Sequence, residues 1–436
     1  MSRRLIDELA LGGRIGAVHR LGYVTEMKGL LLRAVVPDAG VGDICAIRVS
    51  DRRDVRAEVV GFERNEVSCS PLEPVQGLRL RAEIQVEEEC ATVPVGARVE
   101  GRVLDGLGRP LDLGSRGALH AGASAPLWNS PPNPLARRPI TEALSTGVRA
   151  IDGVLTLGRG QRMGIFAAAG CGKSTLLSMI ARNVQADRIV LALIGERGKE
   201  VRGFLENDLG EEGMKRATVV VSTSDQPAVL RLRAAWVATA IAEEARARGE
   251  NVVLLMDSVT RFARAQREIG LAAGEAPGRQ GYPPSVFARL PELFERAGND
   301  ARGSITALYT VLVAGDDIGE PVADETMGLL DGHIVLSREI AARGRYPAID
   351  VIRSKSRVMN DVVGGAHEEL ARRANAALAA LEKNEDKIAM GLFKNAPPEE
   401  KRLVERGQRL VEFLRQDRHD PQDFATTLAR LGELVG

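Results

Sequence analysis

Arg-Met-Gly-Ile-Phe-Ala-Ala-Ala-Gly-Cys-Gly-Lys-Ser-Thr, residues 162–175, runs from an apolar segment through a string of small residues into a helical pattern. Met163 to Ala167 have the turn-terminated look of a buried strand, and Leu176, Leu177, Met179 and Ile180 follow at helical spacing. Between them, Gly170 and Gly172 let the backbone curl so that its N–H groups point at one anion, at the positive end of the following helix. The stretch reads as a phosphate-binding loop built from Ala168, Ala169, Gly170, Cys171, Gly172, Lys173, Ser174 and Thr175. Lys173 supplies a mobile ammonium to the β- and γ-phosphates, and the Ser174 hydroxyl is a ligand for magnesium. The general pattern has glycine where this chain has Ala167. Glycine-rich runs also form plain tight turns, so partners elsewhere in the chain must decide.

Two strand ends supply such partners. Val252-Val253-Leu254-Leu255-Met256-Asp257-Ser258 is an apolar strand ending in a carboxylate. Asp257 would hold magnesium through water or the Ser174 hydroxyl; alone, it would equally pass for a helix cap. Ile194-Gly195-Glu196-Arg197 ends another strand. Hydrolysis needs a carboxylate near the γ-phosphate to polarise the attacking water, and Glu196 is the candidate, against a plain surface Glu–Arg pair.

Working outward, strand-like runs at 189–194, 218–222, 252–257, 305–313 and 333–336 alternate with helical stretches, the clearest at about 226–248. That alternation predicts an α/β core with a mostly parallel sheet covered on both faces, and ligands at the carboxyl ends of its strands. Ahead of it, short β-rich runs at 29–36, 44–49, 57–62 and 67–70 alternate with turn residues and predict a small barrel. Residues 1 to about 25 open with an amphipathic piece read as a terminal arm or helix. Residues 94 to about 140, rich in proline towards their end, read as loop and connector. From about 366 the strands stop and three helical patterns follow. The expected division is 1–93 (arm and barrel), 94–365 (connector and phosphate-loop domain) and 366–436 (helical domain).

The 59 basic and 59 acidic residues cancel, and aromatics are 3% of the chain. No global field draws the protein to nucleic acid or an anionic membrane, and few rings are on offer for stacking bases. Acidic residues interrupt the N-terminus before an apolar core forms, against a signal peptide, and no apolar run approaches the ~20 residues of a membrane helix. Cys45, Cys69, Cys90 and Cys171 read as isolated, in a reducing cytoplasm. Cys171, within the loop, predicts loss of activity on thiol alkylation provided the thiol is accessible.

Longer strings carry a family resemblance. They are Gly195-Glu196-Arg197-Gly198-Lys199-Glu200-Val201-Arg202, Asp257-Ser258-Val259-Thr260-Arg261-Phe262-Ala263-Arg264, Gly281-Tyr282-Pro283-Pro284-Ser285-Val286-Phe287, residues 303–312, residues 330–338 and Tyr346-Pro347-Ala348-Ile349-Asp350. Together they resemble the ATPases of type III secretion systems and bacterial flagella, which are themselves similar to the catalytic subunits of rotary ATP synthases. That family's loop carries Ala or Ser at the position of Ala167.

The resemblance implies a β-barrel, a RecA-like nucleotide domain and a helical domain. It implies ATP and Mg2+ as ligands, Lys173 and Ser174 on phosphates and magnesium, Glu196 as catalytic base and Asp257 as the strand-end carboxylate. Arg197 and Arg261 are implied near the γ-phosphate, and Tyr346 against adenine, with a buried tyrosine beside a turn proline as the competing reading. Arg357 matches the arginine finger that enters a neighbouring subunit's site. The implied assembly is a homohexamer at the cytoplasmic inner-membrane base of the apparatus. Its implied partners are a coiled-coil stalk facing the loop at 274–284, a peripheral stalk or regulator, the export gate and chaperone–effector complexes. Residues 168–171 and 198–201 look closer to the virulence-type members than to the flagellar ones. The alternatives are a flagellar export ATPase, a rotary synthase catalytic subunit, a ring helicase and a non-catalytic ring subunit. Gly-Lys-Glu-Val after the Glu-Arg pair, where the synthase has Thr-Arg-Glu-Gly, and a tail without the synthase's acidic lever motif oppose the second.

Overall fold

The computed structural model describes residues 21–50, 52–88, 91–313 and 319–436, and its contacts divide the chain into two units. One comprises the chain up to Ala91 with Ala272–Gly274, the other Thr92–Leu271 with Glu275–Gly436. The amphipathic N-terminal piece, apart from its last few residues, and Cys90 lie outside the described residues.

In the first unit β1 (Gly22–Lys28), β2 (Leu31–Val35), β3 (Ile44–Ser50), β4 (Arg53–Glu63), β5 (Glu66–Pro71) and β6 (Glu83–Glu88) close into an antiparallel barrel in the order β1-β2-β5-β4-β3-β6. Every second residue turns inward: Leu32 and Ala34, Cys45 and Ile47, Ala57 and Val59, Val67 and Cys69 are buried together. Six strands enclose little space, so small side chains fill much of it. Among the described residues Cys45, Cys69 and Cys171 are free of disulfides, as expected, although the Cys45 and Cys69 thiols lie side by side as hydrogen-bonding neighbours. Both β3 and β5 flank β4, with Cys45 opposite Ala57 and Cys69 opposite Val59, which aims both sulfurs into one interior. The bond to Cys45, with burial, pushes the Cys69 thiol far up.

The second unit is built on β7 (Val103–Leu104), β8 (Arg162–Ala167), β9 (Arg188–Glu196), β10 (Ala217–Thr223), β11 (Asn251–Asp257), β12 (Ser304–Leu312), β13 (Gly332–Leu336) and β14 (Ile349–Ser356), ordered β14-β13-β8-β12-β11-β9-β10-β7. Neighbours are parallel except β13 with β14, and the short Gly298–Asn299 strand runs antiparallel to β12. β7 corrects the reading of 94–140 as loop and connector; two residues on a sheet edge are too short to leave a periodic signal.

Both faces are covered. Ile189, Leu191, Leu193, Val219, Val221, Val253 and Leu255 share one cluster with Leu176, Leu177, Met179 and Ile180 of helix α1 (Lys173–Asn183). The alternating Val190, Ala192, Ile194, Val252 and Leu254 are just as buried and belong to the opposite face, and α2 (Ala228–Ala247) packs across β9, β10 and β11. Each such aliphatic side chain contributes about 1.5–3 kcal/mol on burial. Further along come α3 (Val259–Ala272), α4 (Pro284–Glu295) and α5 (Pro321–Leu329).

The chain ends in α6 (Gly365–Lys383), α7 (Pro398–Leu414) and α8 (Phe424–Val435). Helices α6 and α7 approach closely at Gly407, where an added Cβ would lie 2.6 Å from the Ala377 carbonyl oxygen. Ala374, Leu378, Leu410, Phe413, Leu431 and Val435 join the same cluster as α1. The boundary near 365 therefore marks a change of element type, while packing makes one unit of sheet and helices. Among the described residues, no helix is long and apolar enough to cross a membrane.

Candidate nucleotide site

The loop after β8 leaves the carboxyl end of the sheet. Gly170 (φ 85°) and Gly172 (φ 83°) take the left-handed conformation that glycine adopts without strain. Gly172 caps α1 without a side-chain acceptor, so the first-turn N–H groups are not consumed by a cap and remain donors for an anion.

Parallel pairing of β9 with β11, with Leu193 opposite Asp257, brings two carboxylates to this loop. The Lys173 ammonium pairs closely with Asp257 and stands 3.6 Å from Glu196 Oε1. The three side chains are only 12%, 5% and 15% exposed, a desolvated setting in which charge pairs count for far more than on the surface. Thr310 of β12 donates its hydroxyl hydrogen to Asp257 Oδ1 at 2.8 Å. Burial pushes the Glu196 carboxyl above its usual range; Lys173 and Arg261 pull it down, while Asp257 and a hydrogen bond with Glu200 push it up.

Arg261 lies along Gly195, where a Cβ would meet its Cβ, Cγ and Cδ at 3.3 Å, and Gly195 itself has φ 66°. Its Nε is buried with no hydrogen-bond partner among the described residues, a donor left over for a ligand. Arg197, expected near the γ-phosphate, lies at the surface of this structure. Its side chain is 80% exposed and pairs with Glu200 at 3.2 Å, because it precedes the short helix Gly198–Gly203 and turns out with that helix.

Ser174, Glu196, Glu200, Phe204, Asp257 and Arg418 line one cleft of about 560 Å³, a volume suited to a small ligand. Ser174 is exposed there. The Ser174 hydroxyl and the Asp257 carboxylate are hard oxygen donors of the kind Mg2+ takes, two protein ligands leaving room for water and phosphate oxygens. The Tyr346 ring, 42% exposed, rests against Gly172, whose added Cβ would meet it at 3.3–3.4 Å. An aromatic face therefore sits beside the loop. Glu200, Thr310 and Arg418 were missed by site reasoning on the sequence; a threonine interrupting an apolar strand is the one signal that Thr310 offered.

Cys171 is 1% exposed and does not meet the proviso of an accessible thiol. Brief iodoacetamide treatment of the folded protein is expected to leave Cys171 unmodified and activity unchanged, by peptide mass mapping and an ATPase assay. Rapid carboxamidomethylation of Cys171 in the folded state would refute that burial.

Arg357 stands apart from all of these. Its N–H donates to the Asp331 carbonyl at 2.9 Å, and Ser356 pairs with Gly332, the first residue of β13. Asp331 also binds the Arg162 N–H, at the start of β8. Arg357 thus lies at the amino-end edge of the parallel strands, and the loop leaves β8 at the other end, roughly 16 Å away at ~3.3 Å per residue. Its exposed guanidinium has the Met327 carbonyl as a partner at 3.3 Å.

Three family models match the chain: the ATP synthase alpha/beta beta-barrel domain over residues 24–86, the nucleotide-binding domain of the same family over 147–356, and the T3SS EscN ATPase C-terminal domain over 363–433. The flagellum-specific ATP synthase of Bacillus subtilis is 46% identical over 422 residues, 96% of this chain and 95% of its own. The type 3 secretion system ATPase of Sinorhizobium fredii is 48% identical over 418 residues, 95% of this chain and 92% of its own. The assembled ATPase EscN of the enteropathogenic E. coli type III secretion system superposes with a TM-score of 0.90 at 41% identity, covering 95% of this chain and all of that one. A second structure, EscN in complex with its central stalk EscO, gives 0.88.

Proposed function

The chain belongs to the family of type III secretion and flagellar export ATPases, kin of the ATP synthase alpha and beta subunits, and on that premise we propose that it hydrolyses ATP in the cleft between Lys173, Glu196 and Asp257 to energise protein export. The observation that carries the reading is the Lys173 ammonium held between two carboxylates at the mouth of a phosphate loop. An arriving triphosphate gives the ammonium a new partner, and the loop's N–H groups and Lys173 take the β- and γ-phosphates. Glu196, raised by burial, accepts a proton from the attacking water, and Arg261 offers its unpartnered Nε to the phosphoryl oxygens. Ser174 and Asp257 would hold Mg2+, which when bound neutralises phosphate charge. Arg197 reaches the phosphates only by exchanging its pairing with Glu200. Tyr346 receives the base.

A cation like Arg357, remote from its own loop, makes sense at the cleft of a second copy, so the working form is a homohexamer with shared sites. The setting we propose is the cytoplasmic base of a type III secretion apparatus, where hydrolysis frees effectors from chaperones, unfolds them and feeds the export gate, with a coiled-coil stalk in the pore and a peripheral regulator. Domains 1–93, 94–365 and 366–436 then serve as ring-forming barrel, engine and substrate-side helices. The flagellar branch remains the second reading, because relatives of both kinds match at 46% and 48% identity. The test is ATPase rate against protein concentration with Mg2+ and with EDTA. Specific activity that climbs with concentration and vanishes with EDTA supports the proposal; a flat, EDTA-insensitive rate contradicts it.

A further inference from the structure

Residues 415–420, between α7 and α8, form a strap beside the cleft, fastened mainly by Gln416. That residue is 3% exposed. Its amide oxygen accepts the Arg149 N–H at 2.9 Å, and its amide nitrogen donates to the Gly147 and Asp420 carbonyls, each at 2.8 Å. Its main-chain N–H donates to the Tyr346 carbonyl at 2.8 Å. Both side-chain donors and the acceptor are therefore satisfied in a buried site, which specifies one position for the strap.

The anchor on the other side is rigid. Asp152 accepts from the Thr146 and Gly147 N–H groups at 2.9 and 3.0 Å and from the Thr146 hydroxyl at 2.6 Å. A Cβ on Gly147 would lie 2.7 Å from that of Asn183, so this turn abuts the last residue of α1. Arg149 adds bonds to the Phe413 carbonyl at 2.8 Å and Asp420 Oδ2 at 3.2 Å, and Arg182 of α1 donates to the Arg418 carbonyl at 2.6 Å. Gln416 thereby joins the far end of α1 to Tyr346, whose ring lies against Gly172 at the near end, and it fixes the strap that sends Arg418 into the cleft.

We infer that Gln416 is a positioning residue for the base end of the nucleotide, holding the Tyr346 face where the purine of a nucleoside triphosphate binds. The inference rests on the ATPase reading above. Lys173 and Ser174, at the phosphate end, are placed by the loop that follows β8. Loss of the Gln416 side-chain bonds should weaken ATP and spare a ligand that has no base.

The experiment compares wild type, Gln416→Met, Gln416→Asn, Tyr346→Ala and the Gln416→Met/Tyr346→Ala double variant, using ATP as substrate and inorganic tripolyphosphate as inhibitor. Gln416→Met, similar in size without the amide, is expected to raise KM for ATP about tenfold, keep kcat within about twofold, and leave tripolyphosphate inhibition unchanged. Gln416→Asn, with the amide one carbon short, falls between, and the double variant has the KM of Tyr346→Ala alone. An unchanged KM in Gln416→Met, or tripolyphosphate inhibition weakened in step with ATP binding, overturns the inference. If Gln416→Met does not fold, Gln416→Asn decides by the same two readings. A wild type that hydrolyses no ATP defeats the functional reading and this inference with it, whereas an active wild type with indifferent variants defeats the inference alone.

Discussion

Glu196→Gln lowers kcat by about 10²–10⁴ and changes KM for ATP little, because general-base catalysis is worth that much and the amide still fills the carboxyl's place. The residue stands 3.6 Å from the Lys173 ammonium in a side chain only 15% exposed. The same burial that raises its proton affinity makes the charged form costly to the fold. For a carboxylic acid with its folded pKa raised, stability falls as pH rises through the raised value, so at neutral pH the charge is a liability. The variant is accordingly expected to melt at the same temperature as wild type or higher. The wild-type rate should be lost as pH falls through a limb above the ordinary carboxylate range. Stopped-flow phosphate release and differential scanning calorimetry read these outcomes. A variant with near wild-type kcat would remove Glu196 from the base role, and one with a collapsed melting temperature would make it structural.

The features legible in the sequence were those written locally. Gly170, Gly172 and Lys173 declare a loop, and the apolar run ending at Asp257 declares a strand end, because backbone freedom and burial act on consecutive residues. Glu196 was a poorer case: a strand-end Glu-Arg has an innocent surface reading, and only the longer family strings favoured the catalytic one. Thr310 and Gln416 were out of reach. Thr310 meets Asp257 because β12 pairs with β11, Met256 standing opposite Tyr309, and Gln416 meets Tyr346 across 70 residues of chain. β14 escaped because only Ile349 and Val351 of it are buried, too few for a period. The direction of the Arg197 side chain was out of reach for a related reason: spacing from Glu196 fixes its backbone, while the turn into the next helix sends the side chain to solvent.

Arg357→Ala should abolish turnover as thoroughly as loss of the base, by about 10³–10⁵ in kcat, the range for a finger that neutralises transition-state charge. The fold of a single copy suffers little, since the bond lost is an exposed one from the guanidinium to the Met327 carbonyl at 3.3 Å. ATP binding and melting temperature should stay at wild-type values. Arg357→Lys should fail almost as badly, because a point ammonium does not reproduce the planar fork. A surface arginine of no consequence would instead leave kcat untouched.

Both predictions meet in one claim, that a working site takes Glu196 from one copy and Arg357 from the next. The measurement that tests it is the ATPase rate of an equimolar mixture of Glu196→Gln and Arg357→Ala, at concentrations where the wild type assembles. Each variant alone is inactive, and the mixture should regain part of the wild-type rate, because some interfaces then pair an intact Glu196 with an intact Arg357. A mixture as inactive as its two components, under conditions where wild type is fully active, would contradict the shared site.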